Sequence, residues 1–249
     1  MPLLQNEKRA YVDALNIRFK HHGATAVLQA GLNDPNVGRI AMVSSFGAES
    51  VALLHLVAMV DPMTPVLFID TRMLFTETLI YQSDISERLG LKNTRILQAS
   101  QIELDTQDPY GALRFSNPDA CCDLRKTQVL NAALRGFDGW ITGRKRFQGS
   151  TRAALDFFEY DQVTDLFKIN PLAHWTRDDV ITYMDENRLP RHPLVARGYP
   201  SIGCHPCTSA VTDGEDPRAG RWRGTSKTEC GIHITANGVL RATKSGEHA

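Results

Sequence analysis

No run in this chain is long and apolar enough to cross a bilayer; the longest, Val51 to Val60, is about half what a membrane helix needs. No charge of either sign is in excess. Lys plus Arg and Asp plus Glu both count 28, so no global field draws the protein to nucleic acid or to an anionic membrane. A small-molecule partner is expected instead, because local basic clusters still bind small anions. The stretch from Met1 to Arg9 lacks the basic-then-apolar order of a secretory signal, which makes a cytoplasmic location the expectation. Internal repeats and long low-complexity tracts are also missing. What is present is a 249-residue chain, 42% hydrophobic, enough for one substantial core and one main domain.

Five cysteines stand in three places: the adjacent pair Cys121-Cys122, the Cys204-His205-Pro206-Cys207 turn, and the isolated Cys230. In a reducing compartment, clustered cysteines are more often ligands or catalysts than disulfides. Four thiolates in two close pairs can close a site around a metal or an iron–sulfur cluster, leaving the fifth as a candidate nucleophile. The adjacent pair favours a [4Fe-4S] cluster over zinc, since a cubane offers each thiolate its own iron, whereas zinc ligands come as spaced pairs around one ion. A redox disulfide, or a set of unligated buried thiols, would also be compatible with two such pairs.

The rest of the chain alternates between strand and helix patterns. Tyr11 to Leu32 reads as a helix, and Ile40 to Val43 as a strand buried on both faces. Ser44 to Gly47 forms a turn before a helix over Ser50 to Val60. Val66 to Ile69, Asp70-Thr71-Arg72 and a helix from Thr76 to Leu89, stopped by Gly90, repeat the unit. Thr94 to Leu97 is a weaker strand, Cys121 to Leu134 a helix, and Gly139 to Thr142 another strand. Such alternation implies an α/β fold with a parallel twisted sheet and helices on both faces. Ligands bind outside the carboxyl ends of the strands in these sheets, where the Ser44, Asp70 and Gly143-Arg144 loops fall. Further on, Thr176 caps a helix whose first turn carries Asp178 and Asp179. Beyond Pro190, Gly, Pro, Arg and Thr replace large apolar residues, so light packing is expected.

Two further stretches carry chemistry. Ser45-Phe46-Gly47-Ala48-Glu49-Ser50 follows a strand and opens a helix, a position where free backbone N–H groups suit phosphate or sulfate, although an ordinary capped helix start has the same look. Arg218, Arg221, Arg223 and Lys227 precede Cys230 and His233 follows it, a cationic setting that favours the reactive thiolate; Glu229 opposes it, and a free surface cysteine is the bland reading. Lys126, one helical turn after Cys122, is a candidate to face both the thiols and the crevice, with a solvated surface lysine as the ordinary alternative.

Together these motifs resemble the assimilatory adenylyl-sulfate (APS) reductases, in the family that also contains phosphoadenylyl-sulfate (PAPS) reductases. The likeness rests on Ser45 to Ser50, Asp70-Thr71, Cys121-Cys122 with Arg125-Lys126, Gly143-Arg144-Lys145-Arg146 with Gln148, and Thr151-Arg152. It continues through Asn170-Pro171-Leu172, Trp175-Thr176, Gly203-Cys204 with Pro206-Cys207, Gly220-Arg221-Trp222, and Lys227 to Gly231 with His233. The resemblance implies a fold of the adenine-nucleotide α-hydrolase, or PP-loop ATP pyrophosphatase, type. It implies that Cys230 attacks the sulfur of APS, expels AMP and carries an S-sulfonate, from which reduced thioredoxin releases sulfite. Lys126, Arg144, Arg152, Arg218 and Arg221 would then surround the phosphosulfate. Ser45, Phe46, Gly47, Glu49 and Ser50, with Asp70, Thr71, Gly143 and His233, would complete the substrate site. Cys121, Cys122, Cys204 and Cys207 would hold one [4Fe-4S] cluster, with no nicotinamide or flavin, in a homo-oligomer.

On this reading residues 1–200 form the nucleotide-binding domain, 201–234 a mobile segment with the CxxC ligands and Cys230, and 235–249 a tail. Both Cys pairs point to APS rather than PAPS, with use of both substrates as the nearest rival. A tRNA-thiolating ATP pyrophosphatase is more remote, disfavoured because Phe46 and Glu49 stand where its loop carries Gly and Asp. A non-catalytic redox sensor that only binds adenylate would give Cys230 no role.

Overall fold

The computed structural model describes residues 3–149, 152–224 and 227. Six strands build one sheet: β1 (Ile40–Ser44), β2 (Val66–Ile69), β3 (Thr94–Leu97), β4 (Gly139–Ile141), β5 (Phe158–Asp161) and β6 (Leu166–Ile169), in the order β3-β2-β1-β4-β6-β5. β1 pairs in parallel with β2 on one side and β4 on the other, with Met42 opposite both Val66 and Ile141. The chain therefore runs outward from β1 in one direction and returns to add β4 in the other. That reversal leaves a crevice at the carboxyl ends of β1 and β4.

Alternation along β1 divides the core between two faces. Ile40 and Met42 join α2 (Ala24–Asn33) and α3 (Ser50–Val60) on one face, while Ala41 meets Leu67, Trp140 and the α8 (Gln128–Leu134) residues Leu130 and Leu134 on the other. α3 is buried nearly all round, through Val51, Ala52, Leu53, Leu54, Leu56 and Val57. Its predicted limits, Ser50 to Val60, are the observed ones. The helix predicted from Thr76 is α4 (Thr76–Arg88), and Gly90 follows it at φ +66°, a left-handed turn that glycine adopts without strain. Thr176 caps α9 (Arg177–Glu186): its hydroxyl accepts the Asp179 N–H at 3.1 Å while the Asp179 carboxylate accepts the Thr176 N–H at 2.7 Å.

Three expectations are corrected. The single helix over Tyr11 to Leu32 is two, α1 (Gln5–Phe19) and α2, because Gly23 is extended and the two pieces bury against different partners, α1 on β5 and α2 on α3 and β6. The sheet is not wholly parallel, since β5 pairs antiparallel with β6 at its edge through a turn with Asp165 at φ +54°. The helix over Cys121 to Leu134 is interrupted: α7 (Pro118–Cys122) passes into a π-helical turn over Asp123–Thr127, closed by Gln128 N–H to Asp123 O, before α8. Such wide turns are frequent at functional sites. Between β3 and α7 lie α5 (Gln101–Gln107) and α6 (Leu113–Ser116). Among the described residues no helix is long and apolar enough to cross a membrane.

Close packing against β4 depends on one missing side chain. A Cβ on Gly139 would lie 2.7 Å from Phe167 O and 2.9 Å from Phe167 Cβ, neither of which can yield without moving β6. Gly139→Ala is expected to destabilise the fold by about 1–3 kcal/mol. Gly136→Ala, which meets nothing within 4 Å, is the control with little change, and thermal unfolding of the two variants checks the contrast.

Candidate active site

The loop after β1 turns on a buried anchor. Phe46 sits at φ +47° with its ring fully buried and edge-on to Phe68 at 5.3 Å, so the backbone on either side is held over the crevice. Ser44 Oγ accepts the Phe46 N–H at 3.2 Å and Ser50 Oγ accepts that of Gly47 at 3.0 Å. Ser45, Gly47, Glu49 and Ser50 line a cavity of ≈ 650 Å³; the Phe46 side chain does not, because the core takes it.

Gly143 and Arg144 follow β4 at the same end of the sheet, as the sequence predicts. Arg144 reaches the cavity wall, but its guanidinium is turned to Glu159, to Asn170 Oδ1 at 3.1 Å and to Thr142 Oγ1 at 3.2 Å. The next residue was missed by sequence reasoning. Lys145 is buried and donates to Glu49 Oε2 at 2.9 Å; burial pushes its pKa down while the Glu49 carboxylate pulls it up. Gln148 extends this chain of contacts, donating to Glu49 at 3.3 Å and accepting from Arg152 Nη1 at 2.6 Å. Glu49 is thus the anion that holds one wall of the cavity together. Arg177, the first residue of α9, also lines it, with its guanidinium over Phe147 at 5.4 Å. The Gly143 to Arg146 basic run was the available signal for Lys145, and Arg177 had none.

The opposite wall comes from residues 200–204, 216–222 and Lys227. Trp222, at φ +52° and buried, gathers cations around its ring: Arg221 at 4.4 Å and Arg218 and Lys227 both at 6.0 Å. A Cβ on Gly203 would overlap the Arg221 guanidinium, so glycine there lets Arg221 lie across the backbone. Trp222 N–H donates to Cys207 O at 3.0 Å, which ties this cation cluster to the cysteine turn.

All four predicted ligand cysteines converge. Cys121 and Cys122 from the end of α7, and Cys204 and Cys207 from the turn over His205–Cys207, line one small pocket with Thr71, Arg125 and Lys126. Lys126 and Cys204 also line the large cavity, so the two compartments share a wall. Asp70 and Thr71, expected at the adenylate, do not line the large cavity; Thr71 lines the cysteine pocket. Thr71 Oγ1 is 3.2 Å from Cys204 Sγ, and Asp70 accepts from Arg72 N–H at 2.8 Å and Gln98 at 2.6 Å. Burial pushes the Cys121 and Cys207 thiols up, and nearby cations oppose it, Arg125 for Cys121 and Lys126 for Cys207. Among the described residues no group of three or more His, Cys, Asp or Glu converges on a single metal ion, whereas four thiols surround one pocket. Arg114 and Arg125, both lining that pocket, keep a buried Nε–H without an acceptor. A sulfur-ligated group with several metal corners and net negative charge fits this donor set better than one ion. Cys230 and His233 lie outside the described residues.

Arg125 is held by Asp108 at 2.8 Å, both side chains buried, and donates to Thr71 O at 3.2 Å. Burial raises the Asp108 pKa, but the Leu113 N–H and Arg125 lower it further, leaving it below the ordinary value. A depressed folded pKa contributes stability that is fully present above the unfolded value, about 3.9, and is lost as pH falls through the folded one. Asp108→Asn should cost about 3–5 kcal/mol at neutral pH by leaving Arg125 buried and unpaired. In urea titrations its deficit relative to the parent should shrink at pH below about 4.

Comparison with known proteins places this geometry. The family model described as phosphoadenosine phosphosulfate reductase domain matches residues 39–210. A protein of Mesorhizobium japonicum named adenosine 5'-phosphosulfate reductase is 47% identical over 228 residues, covering 92% of this chain and 88% of its own. A Chelativorans protein of the same name is 45% identical, covering 90% and 92%. The crystal structure of phosphoadenylyl-sulfate (PAPS) reductase from Candida auris, as a phosphate complex, superposes with a TM-score of 0.70 over 85% of this chain and 99% of that one; at 24% identity it shows a shared fold. With sequence and fold in agreement, the chain belongs to the phosphoadenosine phosphosulfate reductase family.

Proposed function

We propose that this chain reduces adenosine 5'-phosphosulfate to sulfite and AMP. The observation that carries the reading is the crowding of Lys126, Lys145, Arg152, Arg218, Arg221 and Lys227 around one cavity beneath a strand-to-helix loop. Like charges this close repel one another unless a polyanion occupies the space, and a phosphosulfate is one. The two relatives named adenosine 5'-phosphosulfate reductase support APS as the substrate.

On this proposal the Cys230 thiolate attacks the sulfur of APS. The bond from sulfur to the bridging oxygen breaks, and AMP leaves with the electron pair. The Cys230 S-sulfonate is then attacked at its thiol sulfur by a thiolate of reduced thioredoxin, which releases sulfite and forms a mixed disulfide. The second thioredoxin thiol resolves it, so the dithiol supplies both electrons. Nucleophile and substrate are both anionic, and the cations make their approach possible while fixing the sulfonate in line. Ser45, Gly47 and Ser50 hold the adenylate at the N-terminus of α3. Cys121, Cys122, Cys204 and Cys207 hold one [4Fe-4S] cluster, whose contribution is structural and electrostatic. The enzyme works in the cytoplasm as a homo-oligomer.

Cys230→Ser is expected to abolish sulfite release while APS still binds, and mass spectra of the parent chain mixed with APS should show an adduct of roughly 80 Da, one SO₃, on the peptide carrying Cys230. Unchanged turnover in the serine variant would refute the nucleophile. Parallel thioredoxin-coupled assays should favour APS over PAPS; the reverse preference overturns the substrate assignment. Arg221→Ala removes one charge-assisted contact and should lower kcat/KM by about ten- to hundred-fold, the equivalent of roughly 1.5–3 kcal/mol.

A further inference from the structure

Among the described residues, three buried side-chain nitrogens have no hydrogen-bond partner: Nε of Arg114, Arg125 and Arg221. A buried N–H left without an acceptor costs about 1–3 kcal/mol, so each marks a place where an acceptor belongs. Arg221 faces the large cavity and gives its Nη1 to Ile202 O at 3.2 Å. Arg125 is otherwise fully committed, its charge matched by Asp108 and its Nη1 given to Thr71 O. Arg114 differs from both. It stands on α6, the short helix before the one that ends in the cysteine pair, lines the four-thiol pocket and not the large cavity, and makes no ion pair among the described residues. Its guanidinium lies over the Phe115 ring at 4.5 Å.

The pocket that Arg114 lines is therefore supplied with a positive charge that no carboxylate there offsets. Four thiolates around a metal–sulfur core leave that group net anionic, and sulfur accepts hydrogen bonds from such donors. We propose that Arg114 is a positioning residue for the sulfur-ligated group, its Nε–H donating to a sulfur of that group and its charge offsetting the group's negative charge. Phe115 holds the guanidinium over the pocket by a cation–π contact. The inference rests on the iron–sulfur reading of the four cysteines. It adds a donor from outside the two cysteine motifs.

The test compares the full parent chain with Arg114→Met, which keeps the stem and removes charge and donor, and Arg114→Lys, which keeps charge and loses the planar N–H. All three are prepared without oxygen, assayed for iron and acid-labile sulfide, and challenged with EDTA while the visible absorbance is followed. Arg114→Met should lose iron roughly tenfold faster or more, as expected when an outer partner of a metal ligand set is removed. Arg114→Lys should fall between it and the parent, and the metal-free forms of all three should melt alike. Iron loss from Arg114→Met at the parent rate overturns the proposal. So does a metal-free Arg114→Met chain that melts well below the metal-free parent, which would mark Arg114 as a packing residue. A parent chain without iron or sulfide removes the iron–sulfur reading itself, and that result is read before any variant is compared.

Discussion

Positive charge confined to a half-buried crevice is the constraint around which this molecule is built. Among the described residues, eight Lys and Arg side chains line the large cavity against two carboxylates, Glu49 and Asp216. Repulsion among them is strong at this depth, because the surrounding protein screens charge less than water does. The fold answers with carboxylates set against these cations, Asp108 buried and Glu49 and Glu159 partly exposed. Glu49 holds Lys145 and, through Gln148, Arg152; Glu159 holds Arg144; Asp108 holds Arg125 beside the thiols. These carboxylates fix the cations in place and leave an excess of positive charge for a bound polyanion.

Part of the backbone strain falls at the same place. Phe46, Arg72 and Trp222 adopt positive φ at turns bordering the large cavity or the cysteine pocket, whereas Asp165 and Arg188 do so away from both. A bulky residue in that conformation is uncommon, and here packing holds it: Phe46 against Phe68, Trp222 under its ring of cations. The π-helical turn at Asp123–Thr127 is a further irregularity; it follows the cysteine pair directly and carries Lys126. At these turns the irregular backbone aims side chains rather than only burying them.

Coupling between the two compartments is short and covalent in part. Cys204 and Lys126 line both, and Trp222, hub of the cation cluster, is hydrogen-bonded to the carbonyl of Cys207. Whatever orders the cysteine turn therefore also orders Arg218 and Arg221. The cysteine turn and the cation cluster are thus one connected unit.

Much of this was legible in the chain itself. Apolar runs at Ile40 and Val66 specify buried strands, Ser50 and Val60 bound a helix, and a capping threonine starts α9, because these features act through neighbours a few residues away. That the two cysteine pairs, 82 residues apart by their inner members Cys122 and Cys204, form one cluster was also readable, since close pairs of thiols are candidates for a shared site. Tertiary structure decided the rest. Arg144 is held by Glu159 and Asn170, Thr71 lines the cysteine pocket and not the large cavity, and Lys145 and Arg114 become functional candidates because of what they do or do not meet. A residue's type and spacing describe the chemistry it can do, whereas its partners across the fold determine whether that chemistry is already spent.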